Sequence, residues 1–272
     1  MNKISIISGD GNLPLYIGNS LIRKNFDITY ILLNKIGDKD IYKNEKYITL
    51  DKLSLKKIIN LLNKNNIKKI IFAGSIKRPS INEISYDFQT IKLAKSLLLE
   101  QKGDNSLLVS IKNIFEKNGF SFFNWTKFCP ELFSIEDNLS IYKPSKYAQQ
   151  NLLKAKSIYN YFKKADIGQS IIVQNKLVLG LEAIEGTDNL IKRCSEYKRK
   201  GDRGILLKFS KKDQSNLIDI PLIGLQTIKN LKKFNYEGIF LEKFKCLILD
   251  KNKIVEFANQ NKIFISSVQL SK

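Results

Sequence analysis

Three carboxylates fall within seven residues of the stretch EAIEGTDNL (182–190): Glu182, Glu185 and Asp188, with Gly186 and Thr187 between the last two. Carboxylates at this density suit a hard divalent cation or a general base. Thr187 can equally cap a helix that begins at Asp188. A further candidate, Asp219, stands between Ile218 and Ile220 and just before Pro221 in DIPLIGLQTI. A carboxylate in an apolar run is unusual unless it is used or capped. ADIGQS (165–170) sets Asp166 and Gln169 on either side of Gly168. The chain has no histidine. That removes Ser-His-Asp, Cys-His and HExxH arrangements, and the di-metal centre that mixes His and Asp ligands. Acid–base or metal chemistry falls to Asp, Glu, Lys, Tyr or Cys, and a metal, if used, is a hard oxygen-ligated ion such as Mg²⁺.

Three glycine loops follow predicted strands or open predicted helices. ISIISGDGNLP (4–14) runs from an apolar strand into Gly9, Gly11 and Asn12. Backbone N–H groups at a sheet's carboxyl edge, next to a helix N-terminus, make an anion site; the alternative is an ordinary tight turn. Pro14 replaces the third glycine of a GxGxxG fingerprint, and no Lys-Ser/Thr follows to make a P-loop. FAGSIKRP (72–79) carries Gly74, Ser75, Lys77 and Arg78, and QKGDNSLL (101–108) carries Lys102, Gly103 and Asp104, the last also a natural helix N-cap.

These residues need a scaffold, and the chain supplies one. It has 272 residues, 43% hydrophobic, enough for two ordinary domains with real cores. The first half alternates strands (KISIIS, ITYILL over 28–33, IKKIIFAG over 67–74) with helical patterns at 15–24, SLKKIINLLNK, 84–98 and Leu107–Phe115. Such alternation predicts a largely parallel sheet covered by helices, a Rossmann-like domain. Periodicity lapses over 124–145, so the expected organisation is an N-terminal domain over 1–132, a linker over 133–143 and a catalytic C-terminal domain over 144–272. The second half predicts a long helix at 146–164, a hairpin turning near Asn175, and helices at 188–199, 224–233 and 252–260: a smaller mixed α/β domain.

The net charge is +20, yet only five of the 46 basic residues are arginines. An anionic partner and plain compositional drift both account for it, and the scarcity of arginine argues against nucleic acid. Three scattered cysteines and no CxxC pair suggest a reducing compartment and no zinc. No run approaches the roughly 20 apolar residues of a membrane span, so the expected location is cytoplasmic.

GDGNLP, FAGSIKRP, KGDNSLL, DIGQS, EGTD and DIPLIGLQTI, in this order along the chain, resemble the UDP-2,3-diacylglucosamine pyrophosphatases of lipid A biosynthesis, the histidine-independent LpxI family. The resemblance implies hydrolysis of UDP-2,3-diacylglucosamine to UMP and 2,3-diacylglucosamine 1-phosphate with Mg²⁺ or a similar divalent cation. It implies two α/β domains, with the UDP-linked diacylglucosamine lipid held between them. Carried onto this chain, it makes Asp219 the catalytic carboxylate and, with Asp188, the metal ligand. Gly11, Asn12, Gly74, Ser75, Lys102, Asp104, Asp166, Ile167, Gly168, Gln169, Ser170, Glu185, Gly186, Thr187, Lys208 and Gln214 become substrate contacts. Asp10 stands where the family carries a further glycine, Leu217 where it carries a basic residue and Ser215 where it carries an acidic one; Lys208, Lys211 and Lys212 are nearby cations. A lipid substrate implies peripheral contact with an anionic inner-membrane surface, no nucleic-acid partner, and a homodimer as a permitted assembly.

Overall fold

The computed structural model describes residues 2–33, 39–74, 104–162, 167–211 and 220–270. The chain divides into two compact units, Met1–Cys129 and the described residues from Pro130 onward.

The first unit is built on five parallel strands: β1 (Lys3–Ser8), β2 (Asp27–Leu33), β3 (Tyr47–Leu50), β4 (Lys69–Ala73) and β5 (Ser121–Phe122), in the order β3-β2-β1-β4-β5. β1 and β4 are buried nearly throughout, as central strands covered on both faces are, and β1 includes the buried Ser5 and Ser8 among its isoleucines. Helix α1 (Leu13–Ile22) follows β1, α2 (Leu55–Lys64) follows β3, and α3 (Asp104–Lys117) precedes β5. The Ser54 hydroxyl caps α2 by accepting from Lys57 N at 3.1 Å, and Leu55, Ile58, Ile59 and Leu62 form its buried stripe. Strand order reverses between β1 and β4. In an open parallel sheet that reversal opens a crevice at the carboxyl ends of those two strands.

The first α-helix of the second unit is α4 (Lys146–Phe162), followed by the hairpin β6 (Ser170–Gln174) and β7 (Leu177–Leu181). Asn175 and Lys176 turn it with positive φ, the pairing that matches strand twist in a two-residue loop. Next come α5 (Thr187–Ser195), β8 (Ile205–Lys208), β9 (Leu222–Ile223), α6 (Leu225–Lys233), β10 (Gly238–Glu242), β11 (Leu247–Ile248), α7 (Lys251–Gln260) and β12 (Phe264–Val268). The sheet order is β12-β10-β8-β6-β7; β8, β10 and β12 are parallel, and the hairpin adds antiparallel to β8. β9 and β11 pair separately. Two cores sandwich this sheet. Ile172, Leu206, Ile239, Leu241 and Ile265 pack on the α5–α7 side, and Ile171, Val173, Leu207, Phe240 and Phe264 pack under α4. Residues 133–140 lie along this unit: Ser134 N donates to Cys246 O, and Leu139 N to Ile265 O. Among the described residues, no helix is long and apolar enough to cross a membrane.

Candidate active site

Antiparallel pairing places Ser170, the first residue of β6, opposite Lys208, the last residue of β8. Alternation along β8 turns Lys208 to the face of Leu206, the side covered by α5. β7 returns so that Glu182 N donates to Ser170 O at 2.9 Å, which brings the β7–α5 loop to the same spot. The result is a compact polar cluster at the carboxyl edge of the parallel strands. Lys208 is 4% exposed. Its Nζ donates to Thr187 Oγ1 at 2.5 Å and to Ser170 Oγ at 3.4 Å, and lies 3.9 Å from Glu182 Oε2. Thr187 Oγ1 donates to the Glu182 carboxylate at 3.2 Å and is 3.2 Å from Ser170 Oγ. Gln169 N completes the set, donating to Glu182 Oε2 at 3.4 Å.

Gly168 makes this convergence sterically possible. A Cβ there would sit 2.1 Å from the Glu182 carbonyl oxygen, so the strand entry and the β7 exit touch backbone to backbone only because the side chain is missing. Helix α5 starts at Thr187 with Gly186 as its N-cap and no side-chain cap. The reading of Thr187 as a helix cap is therefore overturned: its hydroxyl is bound to Lys208, Ser170 and Glu182 instead. The N-terminus of α5, which has no side-chain cap, meets the buried Lys208 ammonium at Thr187; helix N-termini and ammonium groups are both donors suited to phosphate oxygens.

Of the other two carboxylates in EAIEGTD, Glu185 is engaged by Arg193, whose Nη2 donates at 2.7 Å, and also accepts from Ala183 N at 3.1 Å. The Arg193 hydrogen bond, more than any other influence, holds its acid below the ordinary value. Asp188 differs. Its Oδ1 is buried and has no hydrogen-bond partner. An unsatisfied buried carboxylate oxygen is costly, and a hard cation would satisfy it. Among the described residues no three His, Cys, Asp or Glu side chains come together as a metal cage. Mg²⁺, however, is characteristically held by one or two carboxylates plus substrate phosphates, and Asp188 fits that part.

The first unit carries its own set. Gly9 N donates to Ala73 O at 2.8 Å, tying the β1 exit to the β4 exit at the switch point. Gly74 has φ +90°, and a Cβ on it would lie 2.7 Å from the Gly9 carbonyl, so this position admits only glycine. Gly11 lies exposed in that turn and Asn12 is the exposed residue before α1. Asp104 opens α3. Within the second unit, Ile167 is 53% exposed beside buried Gly168. Ser75, Lys102, Asp166, Gln214 and Asp219 lie outside the described residues.

Sequence reasoning passed over Glu242 and Arg193. Glu242, 4% exposed at the end of β10, accepts from Ser210 N at 2.8 Å and Tyr159 Oη at 3.2 Å on the α4 side of the sheet. The signal was available: a charge closing the apolar run GIFLE is as conspicuous as Asp219 in DIPLIG.

The family model described as the LpxI N-terminal domain matches residues 3–132, and that of the LpxI C-terminal domain matches residues 136–266. A relative from Caulobacter vibrioides, named UDP-2,3-diacylglucosamine pyrophosphatase LpxI, is 26% identical over 277 aligned residues, covering 98% of each chain. Among solved structures, the biotin carboxylase domain of a Hydrogenobacter thermophilus 2-oxoglutarate carboxylase resembles 63% of this chain and 34% of that one, at 12% identity and a TM-score of 0.27. A likeness that low carries no argument. The two family matches together run nearly end to end in the expected order, and this chain belongs to the LpxI family.

Proposed function

We propose that the chain hydrolyses the pyrophosphate bond of UDP-2,3-diacylglucosamine, giving UMP and 2,3-diacylglucosamine 1-phosphate. One P–O–P bond is broken, and water supplies the oxygen that completes the second phosphate. The observation that carries this reading is Lys208: a buried ammonium held by Ser170, Thr187 and Glu182 beside the uncapped start of α5. Pyrophosphate hydrolysis asks chiefly for positioning and for fixed positive charge on the phosphoryl oxygens. Lys208 and the α5 N–H groups supply both without reorganising when charge develops. Glu182 and the two hydroxyls hold the ammonium in place. Asp219 takes the proton of the attacking water or joins Asp188 as a metal ligand. Mg²⁺, held by Asp188 and Asp219 with the phosphates, would offset charge on the bridging and leaving oxygens.

The test is incubation of purified protein with UDP-2,3-diacylglucosamine and Mg²⁺ in ¹⁸O-water, with products resolved by mass spectrometry. UMP and the lipid monophosphate should appear, with EDTA suppressing both. Label on the lipid phosphate places the attack on the β phosphorus; label on UMP places it on the α. Intact substrate at high enzyme concentration sinks the proposal.

A further inference from the structure

Between Asp137 and Asp166 the chain carries six lysines and no acidic residue or arginine, although acidic residues make up about one in ten of the whole chain. Helix α4 occupies most of this run. Its inner side, including Ala148, Leu152, Ala155 and Tyr159, is buried against the sheet. Its outer side sets large residues among exposed polar ones such as Gln149, Ser157 and Asn160. Tyr147 is 64% exposed, Leu153 67% and Tyr161 79%, and Ile141 in the lead-in is 73% exposed. At 3.6 residues per turn, Tyr147, Leu153 and Tyr161 fall within one sector of about 120°, and the exposed Lys146 and Lys154 share it.

We infer that this outer face of α4 docks on an anionic lipid bilayer. Tyrosine rings with a polar tip suit the headgroup boundary, leucine suits the layer just beneath, and lysine stems lie along apolar surface while their ammonium groups reach lipid phosphates. An acid-free run of lysines is the charge complement of an anionic leaflet. RNA would find no arginine fork on this face and would gain nothing from Leu153. A second copy meeting this face with its own would set one acid-free lysine run against another. The placement also has a use, which rests on the lipid substrate proposed above. The last turn of α4 reaches the carboxyl edge of the sheet, where Tyr159 donates to Glu242 at 3.2 Å. Docking through α4 therefore holds the edge that carries Lys208 close to the membrane surface.

The test is co-sedimentation of the full chain with substrate-free vesicles of phosphatidylcholine, with and without phosphatidylglycerol. Binding should require the anionic lipid and weaken as salt rises. Leu153→Glu with Tyr161→Glu should lower partitioning by about tenfold or more. The same double variant should keep its circular dichroism, its Tm and its UMP release from detergent-dispersed substrate. Should it melt early, Lys146→Gln with Lys154→Gln answers the same question through loss of the preference for anionic lipid. No binding by the native chain, or undiminished binding by the folded variants, overturns the inference. So does a salt-sensitive complex with RNA that displaces the vesicles. Vesicle binding without UMP release leaves the docking face standing and removes the hydrolase reading instead.

Discussion

A lysine buried to the degree of Lys208 needs acceptors for its donors and a balance for its charge; Ser170 and Thr187 accept from it, and the Glu182 carboxylate lies 3.9 Å away as its counter-charge. Lys208→Met is expected to lower kcat/KM for UMP release by about 10²-fold or more, with circular dichroism separating lost chemistry from lost fold. Near-normal turnover by a folded Lys208→Met protein takes the lysine out of the site. Asp219→Ala should lose about 10²–10⁴ in kcat with substrate binding retained. A folded Asp219→Ala protein of undiminished kcat removes that carboxylate too. Lys198 is a half-buried lysine of a different kind. Its Nζ donates to Phe234 O and Asn235 O at the end of α6 and sits 4.3 Å from the Tyr236 ring. Burial, with Arg203 adding repulsion, pulls its pKa down to about 8. Folded protein thus releases this proton earlier than unfolded chain does. The native state is penalised below about pH 8 and relieved as pH rises toward the unfolded lysine value near 10.4. Tm should climb between pH 8 and 10, and that climb should vanish in Lys198→Arg, whose charge does not titrate there; an unchanged climb contradicts the assignment. Some of this was legible. EGTD and DIGQS marked the two loops that the fold brings together around Lys208, because glycine beside polar residues is visible in one dimension. That Thr187 serves Lys208 rather than its own helix was not, because their contact spans 21 residues of chain.

At the scale of elements, the hairpin β6–β7 carries Ser170 and leads to Glu182, so whatever holds it holds the site. The anchor lies at the opposite end of β8. The Asp202 carboxylate accepts from Asn151 Nδ2 at 3.0 Å, Asn175 N at 2.9 Å and Gly204 N at 2.7 Å. Asn151 Oδ1 accepts from Lys176 N at 2.7 Å, so α4, the hairpin turn and the β8 approach are bound by one network. Asp202→Ala should destabilise the unit by about 1–3 kcal/mol, read from urea unfolding. Its kcat per folded molecule should stay within about twofold, since the change is remote from Lys208. A collapse of kcat in fully folded Asp202→Ala would mean the anchor also sets the site. The hairpin and the long helices were readable from hydrophobic period and from the Asn175 turn. Edge strand β3 and the two-residue strands β5, β9 and β11 were not, because four residues or fewer hold no period. Asp202 was hidden for another reason: within EYKRKGDRG it looks like one charge in a solvated run, and only the fold reveals three donors around it.

Across the whole molecule, the alternation of strands and helices made two α/β units readable, but not the strand orders that create a switch point in one sheet and a mixed edge in the other. Those orders depend on which apolar faces meet, and any one strand pattern permits several partners. The three cysteines give a direct check on how the cores are laid out. All three are buried. Cys194, on α5, and Cys246, just before β11, belong to the same core on the α5–α7 side of the second sheet. Burial pushes the Cys194 thiol up to about 11 and the Cys246 thiol up to about 12. Thiolate, the reactive form, is therefore scarce at neutral pH in the native state, and access is closed as well. A maleimide should leave all three cysteines unmodified in buffer. As urea is raised, peptide mass spectrometry should find Cys194 and Cys246 labelled over one shared transition, because a common core cannot expose one wall and keep the other. Cys129, in the first unit, reports that unit's own transition. Labelling of Cys194 well below the urea concentration that exposes Cys246 would show that α5 opens by itself. In that case the Thr187–Lys208 contact would be made and broken by local opening of α5, without unfolding the sheet.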